Sequence, residues 1–328
     1  MKTIRWGIIG CGDVTEKKSG PGFQKAQGSE LVAVMRRNGE LAKDYARRHK
    51  VPRWYDDADK LIHDPDVDAI YIATPPTTHV DYIQKVARAG KPIYAEKPMG
   101  IGYAESREAV ETCRAAGVPL HVAYYRRGIE KYRAIRELII GGRIGAVRYI
   151  HLAIHAPAVG PNENGELPWR VRPELSGGGL IMDVGSHGLD LLDFYLGPIR
   201  DVEGFAGNQA GNYQVEDMVS GAWVFESGVH GTGNWCFSAD REDDRIVIVG
   251  DGGRMEFSVL DVPGPVVIST AEGQEALTFD APQHVQQPLI QLVTKDLLGT
   301  GESPSTGESA LRTDRVLELL RSKFDRKK

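Results

Sequence analysis

A regular alternation of short apolar runs and helical segments fills residues 1–123 and constrains the fold more than any other feature. The apolar runs are IRWGII, ELVAVMRR, VDAIYIAT, KPIYAE and VPLHVAYY. Between them lie segments such as VDYIQKVARAG and YAESREAVETCRAAG, with apolar residues at helical spacing and a closing glycine typical of a helix C-terminus. Strands that alternate with helices predict a parallel sheet with helices on both faces. We therefore expect an α/β fold with a doubly wound parallel sheet in residues 1–123.

The pattern changes in residues 124–328. Runs such as EDMVSGAWVF and DRIVIVG are short strands broken by glycine turns, and they predict an open, mostly antiparallel sheet. Helical patterns follow at 283–299 and 307–324. We expect an α+β domain built on this sheet in residues 124–328, with a last helix able to pack back onto the first domain. Alternating aromatic residues predict either a self-association face of this sheet or the face packed on its own helices: Trp223, Phe225, Trp235 and Phe237.

Composition excludes several classes of protein. The chain has 328 residues, a net charge of −5 and 41% hydrophobic residues, as in a soluble globular protein without a nucleic-acid partner. Its cysteines, Cys11, Cys113 and Cys236, are too scattered for a disulfide framework or a metal knuckle. No run approaches the ~20 apolar residues of a membrane span, and the N-terminus lacks a signal-peptide pattern. We therefore expect a cytoplasmic location.

A glycine-rich turn follows the first strand, in GIIGCGDVT. Gly10 and Gly12 supply the first two glycines of the G-x-G-x-x-G pattern of Rossmann domains, in which the backbone approaches a pyrophosphate. Asp13 and Val14 continue the turn, and Thr15 occupies the third glycine position. The motif predicts a dinucleotide site, although a glycine turn without a ligand gives the same pattern.

The end of the second strand indicates which dinucleotide is bound. An acidic residue there would bond the ribose hydroxyls of NAD, but the chain has Arg36, Arg37 and Asn38. Guanidinium groups suit a 2′-phosphate, so the sequence favours NADP(H) and leaves NAD(H) possible. The alternative is that both arginines are solvated surface charge.

A second polar cluster lies in GGGLIMDVGSHGLD. Asp183, His187 and Asp190 are spaced i, i+4 and i+7, which predicts one face of a helix. Glycines 177–179 allow this segment to approach a ligand or another backbone closely. Three interpretations compete: a structural histidine, a metal site without a motif to complete it, and an acid–base group for hydride transfer.

Five segments in order resemble the glucose–fructose oxidoreductase, inositol dehydrogenase and MocA family of NAD(P)-dependent oxidoreductases. They are GIIGCG, ATPPTTH, EKP, GGRIGAVRYI and GGGLIMDVGSHGLD, and they span most of the first two hundred residues. The C-terminal third matches only in architecture. The resemblance implies hydride transfer between nicotinamide and a sugar, inositol or related polyol or carbonyl compound. It also implies a homodimer or homotetramer, with residues 124–328 as the domain for substrate binding and oligomerisation. We expect no metal, because no motif places a further Cys or His beside Asp183 and His187.

The resemblance implies roles for individual residues. Lys97 would bond the substrate hydroxyl and the cofactor ribose, and His187 would be its acid–base partner. Asp183 would bind substrate or tune His187, and a cis bond often precedes the position of Pro98. The remaining implied contacts are Thr74, Pro75, His79 and Glu96 for the cofactor, and Tyr124, Tyr125, Arg126, Trp169 and Arg170 for the substrate.

Two other functions of this fold stay open. One is a non-catalytic regulator that binds a dinucleotide, although the retained Lys97 and His187 disfavour it. The other is an NAD-dependent glycosidase that keeps its cofactor unconsumed. One departure from the family is the polar segment 13–22, which predicts a loop over the cofactor or substrate in place of a regular first helix.

Overall fold

The computed structural model describes residues 2–325. The strands are β1 (Ile4–Ile9), β2 (Ser29–Met35), β3 (Arg53–Tyr55), β4 (Ala69–Ile72), β5 (Ile93–Ala95), β6 (Leu120–Val122), β7 (Val147–His155), β8 (Ile199–Gly207), β9 (Met218–Phe225), β10 (His230–Cys236), β11 (Asp243–Gly250), β12 (Gly253–Phe257), β13 (Val266–Thr270) and β14 (Gly273–Leu277). The helices are α1 (Asp13–Lys17), α2 (Gly20–Lys25), α3 (Gly39–His49), α4 (Ala58–Ile62), α5 (His79–Arg88), α6 (Tyr103–Ala116), α7 (Glu130–Ile140), α8 (Pro173–Ser176), α9 (Ser186–Leu196), α10 (Gln287–Leu297) and α11 (Gly307–Asp325).

Contacts within the chain divide it into two compact units. Unit 1 consists of the described residues up to Ile129 together with Pro282–Leu311. Unit 2 consists of Glu130–Ala281 together with the described residues from Arg312 onward. Unit 1 therefore combines the N-terminal part of the chain with a segment that returns to it from near the C-terminus.

Unit 1 contains the predicted parallel sheet, with strand order β3-β2-β1-β4-β5-β6. All five pairs of neighbouring strands are parallel. The order reverses between β1 and β4, and ligands of such sheets bind outside the carboxyl ends of the strands at this point. The α/β prediction is confirmed for this part of the chain.

Both faces of the unit 1 sheet are covered, which explains why its strands read as continuous apolar runs. On one face, an aromatic cluster packs with α2, α3 and α10, and Trp6 and Phe23 approach to 4.9 Å between ring centroids. On the other face, aliphatic residues such as Ile9 and Ile72 pack with α4, α5 and α6. A charged side chain at the end of one of these strands therefore borders a largely apolar interior.

Unit 2 contains an eight-stranded sheet with the order β14-β13-β12-β11-β7-β10-β9-β8. Only the pair of β7 and β10 is parallel among these strands, so the predicted mostly antiparallel sheet is confirmed. Trp223, Phe225, Trp235 and Phe237 are each no more than 2% exposed. Leu320 of α11 covers this side of the sheet at Gly221. The aromatic residues thus form the packed face of the sheet, which was the second of the two alternatives.

The polar segment 13–22 forms two short helices, α1 and α2, and not an open loop. Thr15, in the third glycine position, is fully buried, and its hydroxyl donates to the Gly12 carbonyl at 2.7 Å. The Thr15 carbonyl accepts from the Tyr45 hydroxyl of α3 at 2.9 Å. A Cβ at Gly20 would overlap both of these partners. A hydrogen bond from Tyr45 therefore joins the segment to α3 within unit 1.

Candidate functional site

The loop between β1 and α1 leaves space in front of its backbone. Gly10 has a φ of +94°, and a Cβ there would lie 2.9 Å from the Ala73 carbonyl oxygen and 2.8 Å from Thr74 Cγ2. Gly12 is extended, and a Cβ there would meet no atom within 4 Å. No side chain caps the helix that starts after Gly12. The backbone around Gly12 is thus open to a phosphate group, as a nucleotide loop requires.

Two arginines follow β2 at the neighbouring strand end. Arg36 and Arg37 are exposed, and neither forms an ion pair with a carboxylate in residues 2–325. Arg37 and Met35 line a cavity of 460 Å³. Asp56 lines the same cavity, and its carboxylate is paired with Lys60 at 3.4 Å. Both guanidinium groups can therefore bind an anion without breaking an existing pair.

The end of β4 is connected to the end of β5 by His79. This residue is 1% exposed, and its Nδ1 lies 2.8 Å from the Pro98 carbonyl oxygen and its Nε2 2.7 Å from the Thr74 carbonyl oxygen. Burial lowers the pKa of His79, and a neutral ring donates to one of these carbonyls. His79 thus supports two predicted cofactor segments from the interior, whereas Pro75 is exposed.

Glu96 and Lys97 follow β5, and Glu96 is buried whereas Lys97 is partly exposed. Glu96 is 9% exposed, and its Oε1 accepts from the Tyr71 hydroxyl at 2.6 Å and from Gln286 Nε2 at 2.7 Å. Its Oε2 accepts from the Lys97 backbone N–H at 3.2 Å. The Lys97–Pro98 bond is cis, as the resemblance implies. A carboxylate at the end of a buried strand is therefore solvated by protein donors and fixes the backbone of the lysine beside it.

Residues 124–126, the predicted substrate contacts of unit 1, differ in exposure. Tyr124 is fully buried and Arg126 is 4% exposed, whereas Tyr125 is partly exposed. The Arg126 guanidinium lies 4.9 Å from the centroid of the Tyr125 ring, which is cation–π geometry. Tyr125 is therefore the more accessible of the two tyrosines.

The polar cluster of unit 2 departs from the predicted regular helix. Asp183 lies in a π-helical turn, Ile181–Gly185, and α9 begins after it. A π turn closes over five residues where an α turn closes over four, so the backbone at Asp183 departs from the regular α-helix that the spacing predicts. His187 is 6% exposed and Asp190 is 1% exposed, both within α9.

Asp183 has a basic partner that its spacing in the sequence does not indicate. Arg170 donates from Nε to the Asp183 carboxylate. The Arg170 guanidinium also lies 4.8 Å from the ring centroid of Trp169, which is 36% exposed. The structure therefore brings Trp169, Arg170 and Asp183 of the predicted set together within unit 2.

Two of the three cysteines, Cys11 and Cys113, are buried. Burial raises the pKa of Cys11 and of Cys113 to about 11, so neither buried thiol is a thiolate near neutral pH. Within residues 2–325, no three His, Cys, Asp or Glu side chains are arranged to hold a metal ion. The same range contains no helix long and apolar enough to cross a membrane.

Comparison with known protein families gives matches in both parts of the chain. The model described as an oxidoreductase family with an NAD-binding Rossmann fold matches residues 4–124. The model described as a GFO/IDH/MocA C-terminal domain matches residues 132–256. Together the two matches cover most of the sequence.

Individual relatives align along nearly the whole chain. It is 36% identical over 321 residues to Oxidoreductase P35 of Formosa agariphila, with 97% of this chain and 98% of that protein covered. It is 30% identical over 315 residues to the 1,5-anhydro-D-fructose reductase of Ensifer adhaerens, with 94% and 92% covered. The solved aldose-aldose oxidoreductase of Caulobacter crescentus superposes with a TM-score of 0.87 at 23% identity, with 100% and 99% covered, a likeness of fold alone.

Proposed function

From the premise that the chain belongs to the GFO/IDH/MocA family of NAD-binding oxidoreductases, we propose that it transfers a hydride between NADP and a sugar, inositol or related polyol or carbonyl compound. One observation carries the proposal. The carboxyl edge of the parallel sheet collects the ends of β1, β2, β4 and β5, and the segments there are the glycine loop, Arg36 and Arg37, Thr74 and Lys97. This edge is where dinucleotides bind in doubly wound sheets.

The residues present fit a dinucleotide. The open space at Gly12 accommodates a pyrophosphate, because a side chain there would occupy the same volume. Arg36 and Arg37 support the phosphorylated form of the cofactor, since neither guanidinium is neutralised by a carboxylate of residues 2–325. We assign Thr74 and Pro75 to the cofactor as well, with His79 behind them.

Proton handling falls to Lys97 and His187. The bound dinucleotide supplies the redox chemistry, because its nicotinamide accepts a hydride in one direction and releases it in the other. When an alcohol is oxidised, its carbon loses a hydrogen with the bonding electron pair, and Lys97 or His187 takes the hydroxyl proton as the carbonyl forms. When a carbonyl is reduced, the same residues return that proton. Glu96 fixes the Lys97 backbone, and Asp183 is held by Arg170.

A carbohydrate-like substrate agrees with the relatives and with the chemistry of the predicted substrate contacts. The relative from Ensifer adhaerens is named for the reduction of 1,5-anhydro-D-fructose. We assign substrate binding to Tyr125, Arg126, Trp169 and Arg170, which combine aromatic faces with guanidinium donors. Such side chains present both an apolar surface and hydrogen-bond donors, and a sugar ring needs both.

Cofactor titration tests the dinucleotide part of the proposal. NADPH should bind the wild type more tightly than NADH, and the preference should disappear in Arg36→Ala/Arg37→Ala. Arg88→Ala is the matched control, since it removes an exposed arginine at the C-terminus of α5, away from the carboxyl edge. Equal binding of both cofactors with no effect of the double variant would overturn the NADP assignment. Absence of binding by either would overturn the proposed function.

Turnover tests the chemical part. Sugars, inositols and their keto forms are screened with the preferred cofactor, and Lys97→Ala should lower kcat/KM by about 10²-fold or more on any substrate found. His187→Asn should have a comparable effect. If Lys97→Ala turns over substrate at the wild-type rate, the proton is handled elsewhere.

A further inference from the structure

A buried ion pair contacts the glycine segment Gly177–Gly179 of unit 2. Arg321 Nε lies 2.9 Å from Glu216 Oε1, and their side chains are 7% and 1% exposed. Glu216 comes just before β9, and Arg321 belongs to α11. Removing two charges from water opposes much of the attraction between them, so a buried pair is a weak source of stability. The contacts of this pair with the segment 177–182 indicate a role other than stability.

Both members of the pair hold the backbone that precedes Asp183. The Gly179 N–H donates to Glu216 Oε1 at 2.9 Å, and the Gly179 carbonyl accepts from the Met182 N–H at 3.1 Å. Arg321 donates from Nη2 to the Gly177 carbonyl at 3.3 Å, and its Nη1 lies 3.3 Å from Met182 Sδ. One carboxylate and one guanidinium thus hold the turn from its first glycine to the residue before Asp183.

The ion pair also explains why positions 178 and 179 are glycine. A Cβ at Gly178 would lie 2.7 Å from Met182 Cγ and 2.8 Å from Arg321 Cζ. A Cβ at Gly179 would overlap the Glu216 carbonyl oxygen. Neither glycine has a positive φ, so space and not backbone conformation excludes a side chain. The glycines let the segment close on Arg321 and on the backbone of Glu216.

We propose that Glu216 and Arg321 are positioning residues, which fix the segment 177–182 and so set the placement of Asp183 and of His187 in α9. Their catalytic effect rests on the proposed function, because Asp183 and His187 are the groups that meet the substrate. The guanidinium of Arg321 contacts Gly177 and Met182 of the segment and also Glu216, and a shorter or uncharged side chain cannot reproduce these three contacts.

A second ion pair on α11 provides a matched control. Arg312 donates to both carboxylate oxygens of Asp193, at 2.7 and 2.8 Å. This pair joins α11 to the C-terminal part of α9, whereas the Arg321 pair joins it to the glycine segment. Asp193→Asn therefore weakens the attachment of α11 without removing a contact of residues 177–182.

Hydrogen–deuterium exchange of the cofactor-free protein is the first readout. Glu216→Gln and Arg321→Met should speed exchange in a peptide covering 177–183 by about tenfold. Asp193→Asn should leave that peptide at the wild-type rate. If Arg321→Met does not fold, Arg321→Lys serves in its place. Lysine keeps the positive charge but lacks the two guanidinium nitrogens that contact Gly177 and Met182. Unchanged exchange of 177–183 in the folded variants would overturn the proposal.

The second readout compares the effect of each variant on kcat with its effect on the KM for the dinucleotide. Glu216→Gln and Arg321→Met should lower kcat by about 10²-fold, with KM for the dinucleotide unchanged, while Asp193→Asn should keep the wild-type kcat. Faster exchange with an unchanged kcat would make the pair merely structural and overturn a positioning role. Failure of the proposed function is distinguishable, because it shows as a wild type that binds no dinucleotide or turns over no substrate, whatever the exchange result.

Discussion

At the scale of single residues, the two glycines of the nucleotide loop are glycine for different reasons. Gly10 has a left-handed backbone and packs against the chain at Ala73, whereas Gly12 has an extended backbone and faces open space. A side chain at Gly10 is therefore opposed by the fold itself. At Gly12 it is opposed only by a ligand that needs the space.

This difference predicts that alanine at Gly10 lowers stability, whereas alanine at Gly12 weakens dinucleotide binding. Gly10→Ala should lower the free energy of unfolding by about 1–2 kcal/mol or more, because alanine resists the left-handed region. Gly12→Ala should keep that free energy within about 1 kcal/mol of the wild type and weaken dinucleotide binding about tenfold or more. Urea unfolding and fluorescence titration measure the two quantities. Full dinucleotide affinity in Gly12→Ala would exclude a phosphate at this position.

A buried histidine of unit 1 predicts a pH dependence of stability. His121 is 3% exposed, and besides the Asp296 carboxylate its ring meets the backbone of Ser305, with which it forms a hydrogen bond. Burial lowers the pKa of His121, and the Asp296 carboxylate, 3.5 Å away, opposes this only in part. The unfolded chain, with an ordinary pKa of about 6.5, therefore binds the proton more readily. The contribution to stability is complete above that pH and is lost as the pH falls towards the lowered folded value.

The variant His121→Gln isolates this contribution. Its thermal midpoint should fall less than that of the wild type between pH 7.5 and pH 5.5, while His79 and His151, whose pKa values are also lowered, titrate in both proteins. His63→Gln removes an exposed ring and is the matched control. An identical acid-induced fall in His121→Gln and the wild type would contradict the assignment.

Sequence could locate the candidate residues of unit 1 better than it could identify their partners. Arg37 and Lys97 were predictable because each follows an apolar strand, and strand ends share one edge of a parallel sheet. The hydrogen bond from Gln286 to Glu96 could not be predicted, because 190 residues separate the two and the segment HVQQPLI carries no motif. Long-range polar partners are set by tertiary packing, which single-sequence patterns do not encode.

At the scale of elements, α10 shows how a C-terminal helix completes the N-terminal fold. Its residues Leu289, Ile290 and Val293 join the aromatic face of the unit 1 sheet. Gln286, 1% exposed, stands just before its first turn and reaches the buried Glu96. The helical pattern at 283–299 was readable from the sequence, but its assignment to unit 1 was not, because amphipathic spacing identifies an apolar face without naming its partner.

Removing the Gln286 donor should destabilise unit 1. Gln286→Leu should lower the free energy of unfolding by about 1–3 kcal/mol, because the desolvated Glu96 carboxylate loses a hydrogen bond. Gln291→Leu is the matched control on the same helix, since Gln291 makes two exposed hydrogen bonds to the Gln27 backbone. Water replaces these, so the control should cost less than about 0.5–1 kcal/mol. Equal losses of unfolding free energy in the two variants would show that the buried hydrogen bond to Glu96 contributes no more to stability than the exposed bonds of Gln291.

The π turn before α9 is the element that sequence reasoning missed. Spacing alone predicted a continuous helix through Asp183 and His187, because a one-residue expansion leaves the apolar pattern of LIMDVGSHGLDLLDFYLG nearly intact. Contacts from Glu216 and Arg321 fix the entry to this turn. The departure lies beside a proposed site residue, Asp183, and π turns are frequently found at functional sites.

At the scale of the whole molecule, the alternation of aromatic residues in the second sheet defined two faces without telling which is covered. The structure buries the face that carries Trp223 and Trp235. The opposite face carries Phe205, which is 66% exposed, and Tyr149, which is 36% exposed. A shallow cavity of 390 Å³ on that side is lined by Phe205 and His151. An exposed sheet face with large apolar side chains is suited to packing against another sheet.

We therefore expect a homo-oligomer in which this outer sheet face meets a second copy of the chain. Phe205→Glu should shift the assembly towards monomer, because it would bring a carboxylate into an apolar contact on each copy, at a desolvation cost of several kcal/mol per charge. Light scattering coupled to size-exclusion chromatography measures the mass. Leu41→Glu is the matched control, because Leu41 is 44% exposed and belongs to unit 1 and not to this sheet. A monomeric wild type would contradict self-association, and an oligomer that survives Phe205→Glu but dissociates in Leu41→Glu would move the interface to unit 1.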